Sequence, residues 1–183
     1  MKNKKYFYLM CLFLTMLLFA PSKGWTITEP ETKVPVITHS FAVERGQYGY
    51  IWKIYIEAET QDADMLRIAA VVDQVGAGRY PTSWIYLKPQ NQKHFKGYLQ
   101  WNTFSSKASY LREGTQITLK VSIFDKSGNE SNEVVFPFTF EVVRNPYQYQ
   151  LPPPFDRGDL PRLGYISIDL FEPTAGDGDD KDR

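Results

Sequence analysis

Hydrophobic and polar residues alternate with a period of two along most of the chain between residues 34 and 143. Such alternation gives an extended strand one apolar face and one polar face, and it is typical of strands that are buried on one side. Turn-forming residues separate the stretches, and helical spacing is nearly absent. The pattern predicts seven strands, at 34–43, 50–60, 65–75, 82–87, 94–103, 115–124 and 132–143.

The second predicted strand, 50–60, shows the alternation most clearly. Its apolar face includes Trp52, and its other face includes Lys53 and Glu57. We therefore expect Trp52, and Trp101 on a later strand, to lie in the core, with the charged face in water.

Seven strands about ten residues apart favour an all-β fold, an antiparallel β-sandwich, with a small barrel as the alternative. At 117–124 the sequence ITLKVSIF runs into DKSGNES at 125–131 and turns back. This hairpin resembles bacterial immunoglobulin-like and fibronectin type III-like modules, with Gly128 suited to a positive φ and Asp125 to capping backbone amides. The resemblance covers the last two strands well and the others by rhythm alone. It implies an immunoglobulin-like sandwich that spaces, anchors or binds partners, and it implies no catalytic residue.

The C-terminal part, 144–183, differs in composition from the rest. It is rich in proline and acids, and we expect 151–155 to be an extended linker and 174–183 to be disordered. Within it, 164–171 alternates apolar and polar residues and predicts an extra strand, either at the edge of the sandwich or offered to a partner. We favour the edge strand.

The first 24 residues have the features of a secretory signal peptide: basic residues, then an uncharged apolar stretch at 9–20, then small residues before Trp25. An uncleaved anchor is the alternative, but the apolar stretch is shorter than the roughly 20 residues of a spanning helix. Residues 25–33 are expected to be a linker. Cys11 is the only cysteine, so cleavage leaves a chain that cannot form a disulfide. We expect export to the periplasm or the cell exterior.

The chain has 21 basic and 21 acidic residues. The leader holds four lysines and no acid, so the rest of the chain is acidic, and the excess lies in 145–183. A protein that neutralises nucleic-acid phosphates needs a basic surface, so nucleic acid is not an expected partner. The expected partner is a protein or glycan of the cell envelope.

Few residues have the spacing of catalytic or metal sites. The two histidines, His39 and His94, are expected to lie far apart on different strands. No nucleophile elbow, phosphate loop or dinucleotide motif occurs. Glu57 and Glu59 share a strand face and have the chemistry of a glycosidase carboxylate pair, but we interpret them as solvated. We expect a non-enzymatic protein without a cofactor.

Acidic residues near predicted turns are weak candidates for Ca²⁺ ligands. These are Asp62, Asp64 and Asp125, and they can share an ion only if their loops meet at one end of the sandwich. Turn capping is the simpler interpretation.

Aromatic residues are the best indication of a ligand. Trp84 and Tyr86 lie on one face of a predicted strand whose other face holds Ile85 and Leu87, and Tyr98 can join the rings from the next strand. If the aliphatic residues are core, the rings form an exposed platform of the kind that stacks on sugars. If the rings are core, no platform exists, and we favour this second interpretation. The sequence thus predicts an exported binding or structural module, with carbohydrate binding as the alternative.

Overall fold

The computed structural model describes residues 34–47, 49–62, 64–103, 111, 113–141 and 149–171. The predicted signal peptide and N-terminal linker lie outside the described residues, as does the acidic end of the chain. Within the described part, no helix is long and apolar enough to cross a membrane.

The described residues form strands and one short 3-10 turn, without an α-helix. All seven predicted strands are present. Six are shorter than predicted and one, predicted at 115–124, is shifted by one residue; two two-residue strands and one C-terminal strand join them. In chain order they are β1 (Val36–Phe41), β2 (Arg45–Gly46), β3 (Ile51–Glu59), β4 (Met65–Gln74), β5 (Gly78–Arg79), β6 (Ser83–Tyr86), the turn Pro89–Asn91, β7 (His94–Asn102), β8 (Gln116–Asp125), β9 (Val134–Phe140) and β10 (Arg162–Ile166).

The strands form two sheets. Sheet A has the order β1-β3-β7-β10, and sheet B has the order β2-β9-β8-β4-β5, with β6 also paired to β4. Most neighbours are antiparallel, but β10 runs parallel to β7 and β2 runs parallel to β9. The strictly antiparallel prediction is therefore wrong, and both sheets are mixed. Parallel neighbours cannot be joined by a tight hairpin, and each of these two pairs joins strands that are distant in the sequence.

The two sheets bury a common hydrophobic core. Trp52 on β3 has its ring centroid 4.4 Å from that of Phe138 on β9 and 5.8 Å from that of Trp101 on β7. Trp52 and Trp101 are buried, as predicted. The inward residues come from both sheets, as the alternation requires, and include Ile54, Ile56, Ile68, Val72, Leu99, Ile117, Leu119, Val121, Ile123 and Phe136.

Residues 149–171 pack against the two sheets, which differs from the extended linker expected at 151–155. Phe155 is only 2% exposed, and its ring lies 5.8 Å from that of Tyr55 on the outer face of sheet A. The chain then forms β10 beside β7 at the edge of sheet A, so the extra strand is present, but it covers Arg162–Ile166 and not the predicted 164–171. After β10 the segment stays attached, because the Trp101 Nε1 donates to the carbonyl of Ile168 at 2.9 Å.

Candidate binding surface

The β6 strand turns its two aromatic residues outward. Ile85 and Leu87 are buried, whereas Trp84 is 41% and Tyr86 64% exposed. This is the reverse of the orientation we favoured from the sequence. Its physical reason is β10, where Gly164 lies directly against the Ile85 side chain and leaves room for it, so the aliphatic face of β6 is the one that the rest of the protein covers.

Two further residues on the outer face of sheet B complete an aromatic cluster with a positive charge. Arg67 on β4 stands opposite Tyr86 on β6 and opposite Phe124 on β8. Its guanidinium carbon is 4.0 Å from the ring centroid of Trp84 and 5.8 Å from that of Phe124. The rings of Trp84 and Phe124 meet edge to face at 5.4 Å. We call Arg67, Trp84, Tyr86 and Phe124 the β6 surface.

Arg67 has no polar side-chain partner among the described residues, and its Nε is buried without a hydrogen bond. Two other cations on this face of sheet B share one carboxylate. Arg79 Nε and Lys120 Nζ lie 2.9 Å and 3.3 Å from the Asp73 carboxylate. The hydrogen bond from Arg79, assisted by Lys120, lowers the pKa of Asp73. Arg67 thus keeps an uncompensated charge beside two rings.

Tyr98 is not part of this surface. It lies on β7 in sheet A, where its ring centroid is 5.8 Å from that of Tyr55 and 4.9 Å from Lys53 Nζ. The predicted three-ring platform therefore includes one residue, Tyr98, that lies on the other sheet. Sequence reasoning missed Arg67 and Phe124, because alternation gives the face on which a residue lies and does not tell which strands are neighbours.

A second polar cluster lies on the outer face of sheet A and corrects another expectation. His39 on β1 and His94 on β7 both contact Glu57 on β3, with His39 Nδ1 3.2 Å from Oε2 and His94 Nε2 3.3 Å from Oε1. Lys96 Nζ is 3.4 Å from Oε1. The two histidines, expected to be far apart, therefore share one carboxylate. With both oxygens of Glu57 engaged, the cluster connects three strands, and we interpret it as structural.

The three candidate Ca²⁺ ligands have different surroundings. Asp125 is buried and accepts hydrogen bonds from the backbone N–H of Asn129 at 2.8 Å and from its Nδ2 at 2.7 Å. Asp64 accepts a bond of 3.4 Å from the Thr60 hydroxyl, and Asp62 is exposed. The loops meet, since the N–H of Lys126 donates to the Asp64 carbonyl. Among the described residues, no three His, Cys, Asp or Glu side chains are arranged to hold a metal ion.

The β6 surface is thus the most distinctive feature of the described exterior. It combines exposed rings on a regular strand with a cation that no neighbouring carboxylate neutralises. Comparison with known proteins adds no further assignment. No protein-family model, no curated protein and no solved structure matches this chain.

Proposed function

We propose that this chain is an exported, non-enzymatic, immunoglobulin-like β-sandwich module that binds a partner in the cell envelope through the β6 surface. The observation that carries the proposal is the outward orientation of Trp84 and Tyr86 on a paired strand of sheet B. The basic and apolar leader supports export.

The β8–β9 hairpin supports the immunoglobulin-like assignment. Asp125 caps the turn through Asn129 as the resemblance requires, and Gly128 has a φ of +89°. Two sheets of short strands around one core are also the general architecture of such modules. The mixed strand pairing, at β2 and β10, is what distinguishes this chain from a purely antiparallel sandwich.

The physics of the β6 surface favours binding. Tryptophan, tyrosine and arginine are the residues that most often dominate binding energy at protein interfaces. Here Arg67 stacks on Trp84, and Trp84 contacts Phe124, so these side chains are held in place before a partner arrives. Binding a partner then costs less side-chain entropy than it would if these side chains were mobile.

In-cell photo-crosslinking tests the binding function. A photoreactive phenylalanine analogue is placed at Tyr86 in one variant and at Tyr165 in a matched control, since Tyr165 is an exposed tyrosine on β10 of the other sheet. We expect a discrete envelope product from position 86 and none from position 165, and we expect the recovered chain to begin at Trp25. Equal products from both positions, or none from position 86, would contradict binding through the β6 surface.

Carbohydrate binding is the second candidate function, and the exposure of both rings specifically favours it. Residues two apart on a strand lie about 7 Å from each other, so Trp84 and Tyr86 place two exposed rings side by side along β6, and Arg67 covers one face of the Trp84 ring. Sugar rings pack their C–H groups on exposed ring faces.

A glycan array with wild-type protein and Trp84→Ala tests this candidate. Carbohydrate binding predicts signals that the substitution abolishes. A folded protein that gives no glycan signal excludes this candidate and leaves a protein partner.

A further inference from the structure

We propose that the β6 surface binds glycans that carry carboxylates, such as polymers of uronic acids, with Arg67 paired to the sugar carboxylate and the rings of Trp84 and Tyr86 against the sugar faces. This inference rests on the carbohydrate-binding function and names its ligand class. It follows from Arg67, which has no polar side-chain partner among the described residues. Exposed rings alone do not account for an unpaired cation beside them.

Arg67 differs from the other arginines of the described residues. Each of those has a polar partner, and the pairs are Arg45 with Glu141, Arg79 with Asp73, Arg157 with Asp156 and Arg162 with Gln100. Arg67 is at least as enclosed by aromatic rings as any of these arginines, yet it has no polar side-chain partner among the described residues. A buried N–H without an acceptor is unfavourable, but the buried Nε is out of reach of an external ligand. An external anion would pair with the terminal Nη atoms of Arg67, which are not among the buried unpaired atoms.

A guanidinium binds an oxyanion through two parallel hydrogen bonds, and a carboxylate is the oxyanion that a sugar acid carries. Rings lie against Arg67 and its Nε is buried, so the terminal Nη atoms are the donors left to form two parallel hydrogen bonds to a carboxylate. Arg67 stands opposite Tyr86 across the strand pair. Its guanidinium lies over the ring of Trp84, so a carboxylate bound to Arg67 is close to that ring. A sugar acid carries a carboxylate and an apolar ring face on one rigid unit.

A uronic-acid polymer satisfies these features together. It supplies a carboxylate on every sugar and successive ring faces, and Trp84 and Tyr86 on β6 lie in line to take adjacent units. An acidic peptide supplies carboxylates on flexible chains, without the rigid C–H face of a sugar ring. We therefore argue for the glycan and use the peptide as a comparison in the test.

The test compares polygalacturonate with its fully methyl-esterified form, because the two polymers share their rings and differ in charge. Affinity for both polymers and for polyglutamate is measured by titration calorimetry with wild-type protein, Arg67→Gln, Arg162→Gln and Trp84→Ala. Arg162 is the matched control, since its guanidinium also stacks on an exposed tyrosine, Tyr165, at 4.3 Å, but on the other sheet. Each variant is first checked for a wild-type thermal transition.

We expect the wild type to bind the acid at least tenfold more tightly than the ester, and this preference to shrink as salt is added. Arg67→Gln should reduce the preference to within about twofold, Arg162→Gln should retain it, and Trp84→Ala should weaken both polymers.

The possible failures are distinguishable. Equal affinity of the wild type for acid and ester, or an unchanged preference in Arg67→Gln, overturns the inference and leaves carbohydrate binding in place. Binding of polyglutamate as tight as that of polygalacturonate also overturns it, because the rings would then contribute nothing. Absence of binding to every glycan by folded protein overturns both the inference and the carbohydrate-binding function.

Discussion

At the scale of single residues, the side chain of Asn132 hydrogen-bonds to a strand that is distant in the sequence. It lies before β9, yet its Oδ1 accepts from the N–H of Ile37 at 2.8 Å and its Nδ2 donates to the Ile37 carbonyl at 3.1 Å. Ile37 belongs to β1, the edge strand of sheet A. The side-chain amide thus bonds to a strand that, among the described residues, lies at the edge of its sheet, where unpaired backbone groups can pair with another chain.

Asn132→Ala should lower the free energy of unfolding by about 1 kcal/mol per lost hydrogen bond, and it should raise the tendency to self-associate. Asn132→Asp, which keeps an acceptor for Ile37 N–H, should fall between alanine and wild type. Urea unfolding measures the first effect and light scattering the second. An alanine variant as stable as the wild type would show that water replaces the amide without cost.

Glu57 gives a second test at this scale. Glu57→Gln removes the charge that His39, His94 and Lys96 share, and we expect a loss of about 1 kcal/mol in unfolding free energy. Glu59→Gln on the same strand is the control, because Glu59 is exposed and has no such set of partners among the described residues. Comparable losses in both variants would refute a special role for the cluster.

At the scale of elements, the segment 149–171 is part of the folded body. It crosses the outer face of sheet A at Phe155, forms β10 beside β7, and ends where the Gln74 side chain donates to the carbonyl of Phe171 at 2.9 Å. The approach to β7 is close, because a Cβ on Gly97 would lie 2.5 Å from the carbonyl oxygen of Pro161. Small residues at 97 and 164 therefore let this element pack against sheet A and β6.

Phe155→Ala should destabilise the protein by about 3 kcal/mol or more, since it empties a buried aromatic site. Phe171→Ala is the matched control, because Phe171 is 43% exposed and loses less burial. The measurement is the thermal midpoint, for which about 1 kcal/mol corresponds to roughly 2–4 °C in a chain of this size. If both variants lowered the midpoint equally, the anchoring role of Phe155 would be wrong.

At the scale of the whole molecule, buried tyrosines connect stability to alkaline pH. Burial, followed by interactions with Tyr149, raises the pKa of Tyr50 and of Tyr55. Burial also raises the pKa of Tyr80. An unfolded tyrosine ionises near pH 10, so the stabilisation is complete below that pH. It is lost as the pH rises from there through the higher folded values, because the unfolded state then releases protons first.

We therefore expect the urea midpoint to be flat between about pH 8 and 9 and to fall above about pH 10. Tyr55→Phe should make that fall shallower, whereas Tyr86→Phe, which removes an exposed hydroxyl, serves as control. An equally steep fall in Tyr55→Phe would mean that other groups cause the alkaline loss.

Much of the strand layout could be predicted, because alternation is a local property. The inward placement of Trp52 and Trp101 and the capped turn at Asp125 follow from neighbours a few residues away. The orientation of Trp84 could not be predicted from the sequence, because both faces of β6 are apolar. Which face is buried depends on β10.

The sequence by itself thus determined where strands form and, for strands with one polar face, which face is buried. Only the tertiary structure decided which strands are neighbours. That decision places β10 parallel to β7, brings His39 and His94 to Glu57, and sets Arg67 against Trp84. Each of these depends on contacts between distant parts of the chain, and such contacts form only when the shared core closes and excludes the alternative pairings.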